Sequence, residues 1–323
     1  MDVTRATSEP LYRFVKFHDT LNRRVKTTTA ALVGTGRSIG EGKRASQRLS
    51  RLIERSGEPW GTKNHWADPG LEIADSVAFF AELAVVRADS AFEDFTISIV
   101  GDWDRWMAFN HHGENAVPGL AAAIEPDDLS RILQPCCRFG FHVGTVGDLA
   151  AVYNFFHALR NCIVHRNGRS SQALIDIHRT AMFANAWKAF RARRKKAPPS
   201  PPLYDDERIT VSPWQVIFFS GVCRVIATEV NAVFTRSIGE DGLIFLAAYH
   251  SLTTTPISTI SPFPRTPEGL MNRYLTSGRG VRPDSTTEVI KFLKKLKIWA
   301  EYRQTFEKLR PLVCSRRQAG RRR

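Results

Sequence analysis

Residues 148–168 read Asp-Leu-Ala-Ala-Val-Tyr-Asn-Phe-Phe-His-Ala-Leu-Arg-Asn-Cys-Ile-Val-His-Arg-Asn-Gly, and this stretch decides how the rest of the chain is interpreted. Its apolar residues recur at steps of three and four, the spacing of one buried face of a helix; they are Leu149, Val152, Phe156, Leu159 and Ile163. Asp148 suits the N-cap position, and Gly168 suits the residues just past a helix end. The sequence therefore predicts a core helix from Asp148 to His165.

The end of this helix carries polar residues that are suited to chemistry on a phosphodiester. Arg160, Asn161 and His165 fall within about one and a half helical turns. Arginine keeps its charge and offers a fork of donors to phosphate oxygens, while histidine gains or loses a proton near neutral pH. His157, Asn161 and His165 are four residues apart, so they form one polar stripe. This set supplies a phosphate clamp and a proton carrier without a metal.

The pattern Arg160-Asn161-x-x-x-His165 inside an apolar helix resembles the HEPN domain, an all-helical family. Many of its members are metal-independent endoribonucleases, often in bacterial toxin or anti-phage defence systems, while others only bind nucleotides or RNA. The resemblance implies an all-α, HEPN-like helical bundle with additional N- and C-terminal helices. It also implies that Arg160, Asn161 and His165 are catalytic residues acting on RNA without a cofactor.

The same resemblance extends to Glu93, which lies in the sequence Ala-Phe-Glu-Asp-Phe. This sequence looks like an early helix of defence-type HEPN proteins. Glu93 would then pair with Arg160 and orient it. The alternative is that Glu93 is a solvent-facing acid.

Cleavage of RNA by its own 2′-hydroxyl leaves a cyclic phosphate and requires that one proton be removed and another supplied. His165 would carry one of them, Arg160 would stabilise the phosphorus-centred charge and Asn161 would orient the reacting groups. The motif itself lacks a second proton carrier. Either His157 of the same helix supplies it, or a twofold homodimer brings in a second copy of His165. HEPN nucleases commonly pair their motifs at a dimer interface, so the resemblance favours the dimer.

A second class of protein fits the same residues. In a non-catalytic nucleic-acid- or nucleotide-binding protein of this fold, or in the partner of an antitoxin or another defence protein, Arg160 and His165 would bind phosphate or satisfy the core. Charge and helix pattern would be the same in both classes.

Other Arg–His spacings in the chain are set aside because their context differs. Arg13 and His18 lie on a basic amphipathic helix, and Arg105 precedes the adjacent His111 and His112 without the following Asn. Both pairs are interpreted as packed or solvated faces of helices.

The net charge of +14 is unevenly distributed along the chain. Residues 1–55 hold 12 basic and 5 acidic residues, residues 56–159 hold 5 and 15, and residues 160–323 hold 29 and 12, which gives +7, −10 and +17. Such a pattern favours a polyanion partner, here RNA, held mainly through phosphate contacts. The expected contact residues are Lys188, Arg191, Arg193, Arg194, Lys195 and Lys196, with a basic tail from Arg316 to Arg323.

The chain has 323 residues, of which 43% are hydrophobic, and this length and composition predict a globular protein of about two domains. Three consecutive regions are expected: a basic helical extension over residues 1–56, a HEPN-like domain over 68–236 and a helical region with a basic tail over 237–323. Five cysteines without paired spacing indicate a reducing compartment. No signal peptide is evident, and the apolar stretch Trp214–Cys223 is too short to cross a bilayer. We therefore expect a cytoplasmic protein without a membrane partner.

Helical periodicity predicts further elements along most of the chain. Helices are expected from Pro10 to about Leu32, from Ala45 to Ile53, from Asp68-Pro69 to Gly101, from Trp103 to Asn110, from Pro126 to Leu133, from Ser212 to about Phe234, over Gly242–Ser251 and from Ser285 toward Leu309. Loops are expected over Thr35–Gly42 and Thr253–Pro283. The centre of the bundle should be formed by the helices near residues 70–100, 148–166 and 213–235.

Three other signals are weak. Thr35-Gly36-x-x-x-Gly40-x-Gly42 looks like a dinucleotide-binding loop, but no strand pattern precedes it and no Tyr-x-x-x-Lys pair follows it. Gly42-Lys43 lacks the first glycine and the Ser or Thr of a phosphate-binding loop. The nine histidines include no H-x-x-x-H or H-E-x-x-H spacing, so no metal site is expected.

Overall fold

The computed structural model describes residues 6–57, 66–110, 132–193, 198–200, 202, 208–253, 264–277 and 285–320. Of these residues 83% are helical and none lies in a strand, so the predicted all-α class is confirmed. In chain order the α-helices are α1 (Glu9–Ile39), α2 (Lys43–Glu54), α3 (Pro69–Asn110), α4 (Leu149–His165), α5 (Gln172–Arg179), α6 (Ala181–Arg193), α7 (Pro213–Thr253), α8 (Pro267–Thr276), α9 (Thr286–Lys295) and α10 (Trp299–Gly320). Two 3₁₀-helices, Gln134–Phe139 and Val143–Thr145, lie between α3 and α4.

The chain forms two compact units, each assembled from distant stretches. Unit 1 comprises Met1–Val15, Glu93–Thr145 and Ala227–Arg323, and unit 2 comprises Lys16–Phe92 and Val146–Ile226. Neither unit coincides with one of the three consecutive regions expected from the sequence, and that division stays a prediction.

Unit 2 is built around the three helical segments expected to form the centre of the bundle. Phe92 of α3 contacts Tyr153 of α4 with ring centroids 5.0 Å apart, and Phe156 of α4 stacks on Phe219 of α7 at 4.6 Å. All four side chains are fully buried. Burial of a large apolar side chain contributes about 1.5–3 kcal/mol, so this aromatic cluster is a main source of stability for unit 2.

Unit 1 has its own aromatic and polar contacts. Phe139 contacts Phe234 at 5.4 Å, and Trp106 contacts Phe245 at 5.7 Å. The buried Asn231 side chain accepts a hydrogen bond from the Ser8 amide at 3.0 Å. Within unit 1 these contacts join α7 to the N-terminal residues and to the segments that follow Glu93.

Two predicted helix ends at glycine residues are wrong. The segment Thr35–Gly42 was expected to be a loop, yet α1 continues to Ile39, and the turn lies at Gly40 and Gly42, whose φ angles are positive. Ile39 is buried in a cluster with Leu49 and Ile73, and this burial outweighs the low helix propensity of the glycines before it. Since the segment is helical, it lacks the strand that a dinucleotide site needs before the loop.

Gly101 likewise does not end α3, which runs on to Asn110 and absorbs the separate helix expected over Trp103–Asn110. Ile99, Asp102 and Trp106 are buried on either side of Gly101, so packing carries the helix through it. The helix expected over Pro126–Leu133 lies largely outside the described residues.

The C-terminal third differs from its prediction in two places. The expected loop Thr253–Pro283 contains α8, which Thr266 caps by accepting a hydrogen bond from the Gly269 amide. Its residues Leu270 and Met271 are buried, and periodicity alone did not reveal them. The helix that starts after Ser285 ends at Lys295, because Lys297 takes a positive φ of 60°, and α10 begins at Trp299.

Helix α7 bends at Gly239, where φ is 65° and ψ is −168°. The bend separates the two stretches that were expected to be separate helices. Among the described helices, α7 is long and apolar enough to cross a bilayer by length and composition, and 56% of its most apolar window is buried within the fold. Buried core helices of soluble proteins meet the same criterion.

Candidate functional site

Helix α4 places the Arg-Asn-x-x-x-His pattern at its C-terminal end. The helix begins at Leu149 as predicted, but Asp148 has helical dihedral angles and its side chain makes no capping hydrogen bond. At the other end the amides of Arg166 and Gly168 both donate to the Cys162 carbonyl, at 3.0 and 3.1 Å. Cationic residues interact favourably with the negative end of a helix dipole, so this terminus suits Arg160 and a protonated His165.

The centre of the candidate site is Asp89 of α3, whose side chain is fully buried. The Tyr153 hydroxyl donates to its Oδ1 at 3.1 Å. His157 Nδ1 lies 3.1 Å from Oδ2 and 3.3 Å from Oδ1. These contacts satisfy the buried carboxylate, which would be costly to leave without partners, and they link α3 to α4.

Arg160 is held by Asp89 and by its own neighbour. Its Nε lies 3.5 Å from Asp89 Oδ2, an ion-pair contact without hydrogen-bond geometry. One terminal nitrogen donates to the Asn161 Oδ1 at 2.9 Å. The side chain remains 20% exposed. The structure thus brings Arg160 and Asn161 together, as the sequence pattern predicted.

His157 is oriented by the same carboxylate. Because Asp89 engages Nδ1, we assign the ring proton to Nδ1, which leaves the Nε2 lone pair to accept a proton. The ring stacks on Tyr153, with centroids 5.9 Å apart and planes 18° apart, and the side chain is 27% exposed. A partly exposed imidazole fixed by a buried carboxylate is the arrangement that a general base requires.

His165 is exposed at the last position of α4. Eight residues separate it from His157, which corresponds to about 12 Å along a helix axis. The two imidazoles therefore occupy well-separated positions on the polar stripe, and Arg160 and Asn161 lie between them in the sequence.

Glu93 is half-buried on α3, one turn after Asp89. The acid that pairs with Arg160 in the structure is Asp89, which the sequence analysis did not single out. A signal for it was available, since Val85, Ala88 and Phe92 are on the buried face of α3 and Asp89 falls within the same face. A charged residue at such a position needs partners, and this requirement points to a polar site.

The expected RNA-contacting residues are only partly described. Lys188 and Arg191 are exposed on α6. Arg193 is the last residue of α6, and Arg194, Lys195 and Lys196 lie outside the described residues. Helices α5 and α6 were not predicted as such, although Ser171 caps α5 by accepting from the Leu174 amide at 3.2 Å.

The Arg–His pairs that were set aside have other partners. His18 is buried and lies 2.6 Å from the Ser220 hydroxyl through Nδ1, while Arg13 contacts Asp94 at 3.5 Å. Arg105 pairs with Asp102 at 2.7 Å. His111 and His112 lie outside the described residues.

Comparison of the chain with protein-family models, with curated proteins and with solved structures finds no match. The functional assignment therefore depends on the residues of the site alone.

Proposed function

We propose that this chain is a metal-independent endoribonuclease of HEPN type, with a HEPN-like bundle, that acts in bacterial toxin or anti-phage defence. The RNA 2′-hydroxyl loses its proton and attacks the adjacent phosphorus, and the bond from phosphorus to the 5′-oxygen breaks. The products are a cyclic phosphate and a 5′-hydroxyl, which forms when the leaving oxygen takes up a proton. The observation that carries the proposal is the buried Asp89 carboxylate, which holds Arg160 and His157 of the helix that ends at His165.

Each of these residues has a distinct role in the proposed reaction. Arg160 stabilises the negative charge that builds up on the five-coordinate phosphorus, and Asn161 fixes the guanidinium that does so. His165 transfers a proton from an exposed position. Asp89 is a positioning residue that acts through Arg160 and His157.

The choice of the second proton carrier depends on the distance between the two histidines of α4. His157 and His165 are about 12 Å apart along the helix axis, farther than two groups that flank one phosphate. A twofold homodimer that pairs two copies of His165 avoids this separation, and His157 then contributes as a partner of the Asp89 carboxylate that holds Arg160. A single chain that used both histidines would need the helix to bend or the side chains to converge.

A non-catalytic nucleic-acid- or nucleotide-binding protein is the second candidate. It is favoured by one observation, namely that Arg160 already has two intramolecular partners and is only 20% exposed. In that case Asp89 and Arg160 stabilise unit 2, and the exposed His165 contacts phosphate without transferring a proton.

Cleavage of structured RNA in the presence of EDTA separates the two candidates. The native chain should cut the RNA and leave cyclic phosphate ends, His165→Ala should be inactive, and Arg160→Ala should lose on the order of 3 kcal/mol of transition-state stabilisation. Lys26→Ala, which removes an exposed charge of α1, is the matched control and should cleave like the native chain.

Three results would contradict the proposal: cleavage that survives in His165→Ala, cleavage that requires a divalent metal, or no cleavage by the native chain. Binding of RNA without cleavage would support the second candidate. Circular dichroism of each variant shows whether the fold is intact.

A further inference from the structure

The turn that follows His165 brings two arginines face to face. Asn167 and Gly168 have positive φ angles of 52° and 76°, and they reverse the chain after α4. The Ile209 amide then donates to the Gly168 carbonyl at 2.7 Å, and Arg169 and Arg208 form an isolated antiparallel bridge. Residues directly opposite each other in such a bridge have Cβ atoms about 4.5–5.5 Å apart, so these two side chains start from adjacent points.

Position 168 requires glycine because of its backbone conformation, and not because a side chain would clash there. Its φ of 76° lies in the left-handed region, which L side chains rarely adopt. A Cβ on Gly168 would lie 3.8 Å from Arg208 Cγ and 4.0 Å from its Nε. The Arg208 side chain therefore runs alongside Gly168, the residue before Arg169.

The positive charge of this turn is carried by exposed arginines. Arg166, Arg169 and Arg208 are all exposed, and none of them has an ion pair with another residue in the part of the chain that the structure describes. Burial raises the pKa of Glu82 and the charge of Arg208 lowers it, so Glu82 is the described acid whose charge interacts with Arg208. Like charges directly opposite each other destabilise a bridge, and a bound anionic group would offset that cost.

We propose that Arg169 and Arg208 bind the phosphodiester backbone of single-stranded RNA as it leaves the candidate site at His165. The inference rests on the proposed function, because it takes RNA as the strand that reaches His165. Two guanidinium forks side by side match the oxygens of phosphate groups, and backbone contacts of this kind need no base sequence. Arg169 follows His165 by four residues, so the bridge between Arg169 and Arg208 begins close to the end of α4.

The test measures binding of a short fluorescent oligouridylate whose 2′-O-methyl groups prevent self-cleavage. Fluorescence anisotropy is recorded in EDTA at several salt concentrations. The Arg169→Ala/Arg208→Ala variant should bind more weakly, and its log-log salt slope should fall by about 1.4, since each single-strand phosphate contact contributes about 0.7. Arg24→Ala/Lys26→Ala removes the same charge from an exposed face of α1 and should keep the native slope.

The conservative variant Arg169→Lys/Arg208→Lys tests the chemistry of the contact. It should keep most of the salt slope, because the charge remains, and lose part of the affinity, because lysine lacks the bidentate fork. Three acids, Asp205, Asp206 and Glu207, precede Arg208 in the sequence and lie outside the described residues. Their charge is the same in every variant and does not enter the comparison.

The inference would be overturned if Arg169→Ala/Arg208→Ala kept the salt slope of the native chain. It would also be overturned if the control Arg24→Ala/Lys26→Ala lost as much affinity and slope as that variant. Displacement of the strand by polyglutamate through the same arginines would also overturn it. Cleavage of unmodified RNA separates this inference from the proposed function. If the slope falls but the native chain cleaves no RNA, the arginine site stands and the nuclease proposal fails; if RNA is cleaved but the slope is unchanged, the reverse holds.

Discussion

Two buried aspartates of α3 have the same kinds of partner in different units. In unit 2, Asp89 contacts His157 and Arg160. In unit 1, Asp102 lies 2.8 Å from His250 Nε2 and accepts a hydrogen bond from Arg105 at 2.7 Å. A carboxylate, an imidazole and a guanidinium therefore occur together twice, and composition does not distinguish the two sets.

Exposure distinguishes them. His157 is 27% exposed, whereas His250 is 9% exposed and its Nε2 is taken up by Asp102. Arg105 packs over the Tyr249 ring, with its guanidinium carbon 4.0 Å from the centroid. Arg105 is more exposed than Arg160, at 35% against 20%, so the imidazoles alone separate the two sets. Because His250 is the more buried imidazole, we assign the Asp102 set to stability and the Asp89 set to the candidate chemistry.

The surroundings of Asp102 agree with a structural role. A cavity of about 20 Å³ lies beside Asp102 and His250, and Glu9 also lines it. Tyr274 donates its hydroxyl to Glu9 at 2.6 Å. This volume is about that of one water molecule, and apolar side chains such as Phe234 and Leu246 form most of the cavity wall.

The largest effect is expected for Asp102→Ala. The substitution leaves Arg105 and His250 without their buried partner, which costs about 3–5 kcal/mol of unfolding free energy. Denaturant unfolding measures this loss, and Asp104→Ala, which removes an exposed carboxylate paired with Arg138, is the control with a small effect. Near-native stability of Asp102→Ala would remove the structural half of the comparison.

Asp89→Asn should act mainly on RNA cleavage. The amide keeps the shape of the side chain but no longer holds Arg160 and His157 by charge, and misplacement of about 1 Å costs about 10²-fold in rate. Single-turnover kinetics should show a lower rate with little change in the RNA concentration at half-saturation. A loss of stability with an unchanged rate per folded molecule would make the Asp89 set equivalent to the Asp102 set.

A third histidine, the buried His18, sharpens the comparison because the two side chains that hydrogen-bond to it, Asn22 and Ser220, are not acidic. The Asn22 amide donates to His18 Nε2 at 3.0 Å, which requires a neutral ring. Burial, followed by the charge of Arg224, lowers the pKa of His18 below its ordinary value of 6.5. Stability from this site is therefore complete above pH 6.5 and is lost as the pH falls through the lowered pKa.

We expect His18→Gln to reduce this dependence on pH. The difference in unfolding free energy between the native chain and His18→Gln, measured from pH 8 to pH 5, should shrink toward acid pH. Glu82 titrates with the opposite sign, since burial raises its pKa, and the difference between the two proteins cancels its contribution. A constant difference across this range would show that the His18 pKa is not lowered.

The smallest effects concern one helix cap in each unit. Ser212 and Gln215 cap α7 reciprocally, with backbone-to-side-chain distances of 2.9 and 3.2 Å, whereas Ser285 accepts one bond from the Glu288 amide. Ser212→Ala should cost about 1 kcal/mol and Ser285→Ala about half of that. Thermal unfolding measures both, and equal costs would contradict the distinction between the two caps.

The sequence predicted the elements whose signals are local. The capping box at Ser212 occurs as expected. Of the apolar stripe predicted for α4, Val152, Phe156 and Leu159 are buried, whereas Leu149 and Ile163 are only partly buried. The continuation of α1 to Ile39 could not be seen locally, because it depends on burial against Ile73, which is distant in the sequence. The same reason explains why α8 was taken for a loop.

The candidate site shows the same limit. Arg160, Asn161 and His165 were found from their spacing, since they belong to one helix. Asp89 was not, because its pairing with α4 is set by the packing of two helices 60 and more residues apart in the sequence. The bridge between Arg169 and Arg208 also joins residues that are distant in the sequence, 39 positions apart, and no spacing rule identifies it.

The reactivity of the Cys223 thiol reports local opening of unit 2. Its thiol is fully buried, and burial raises its pKa well above 9.0, with a further contribution from the charge of Asp89. A thiol in this state does not react until the surrounding helices separate, while the partly exposed Cys137 remains accessible. The rate at which an alkylating reagent modifies Cys223 therefore reports how often the core beneath the Asp89 carboxylate opens. The measurement requires no denaturant.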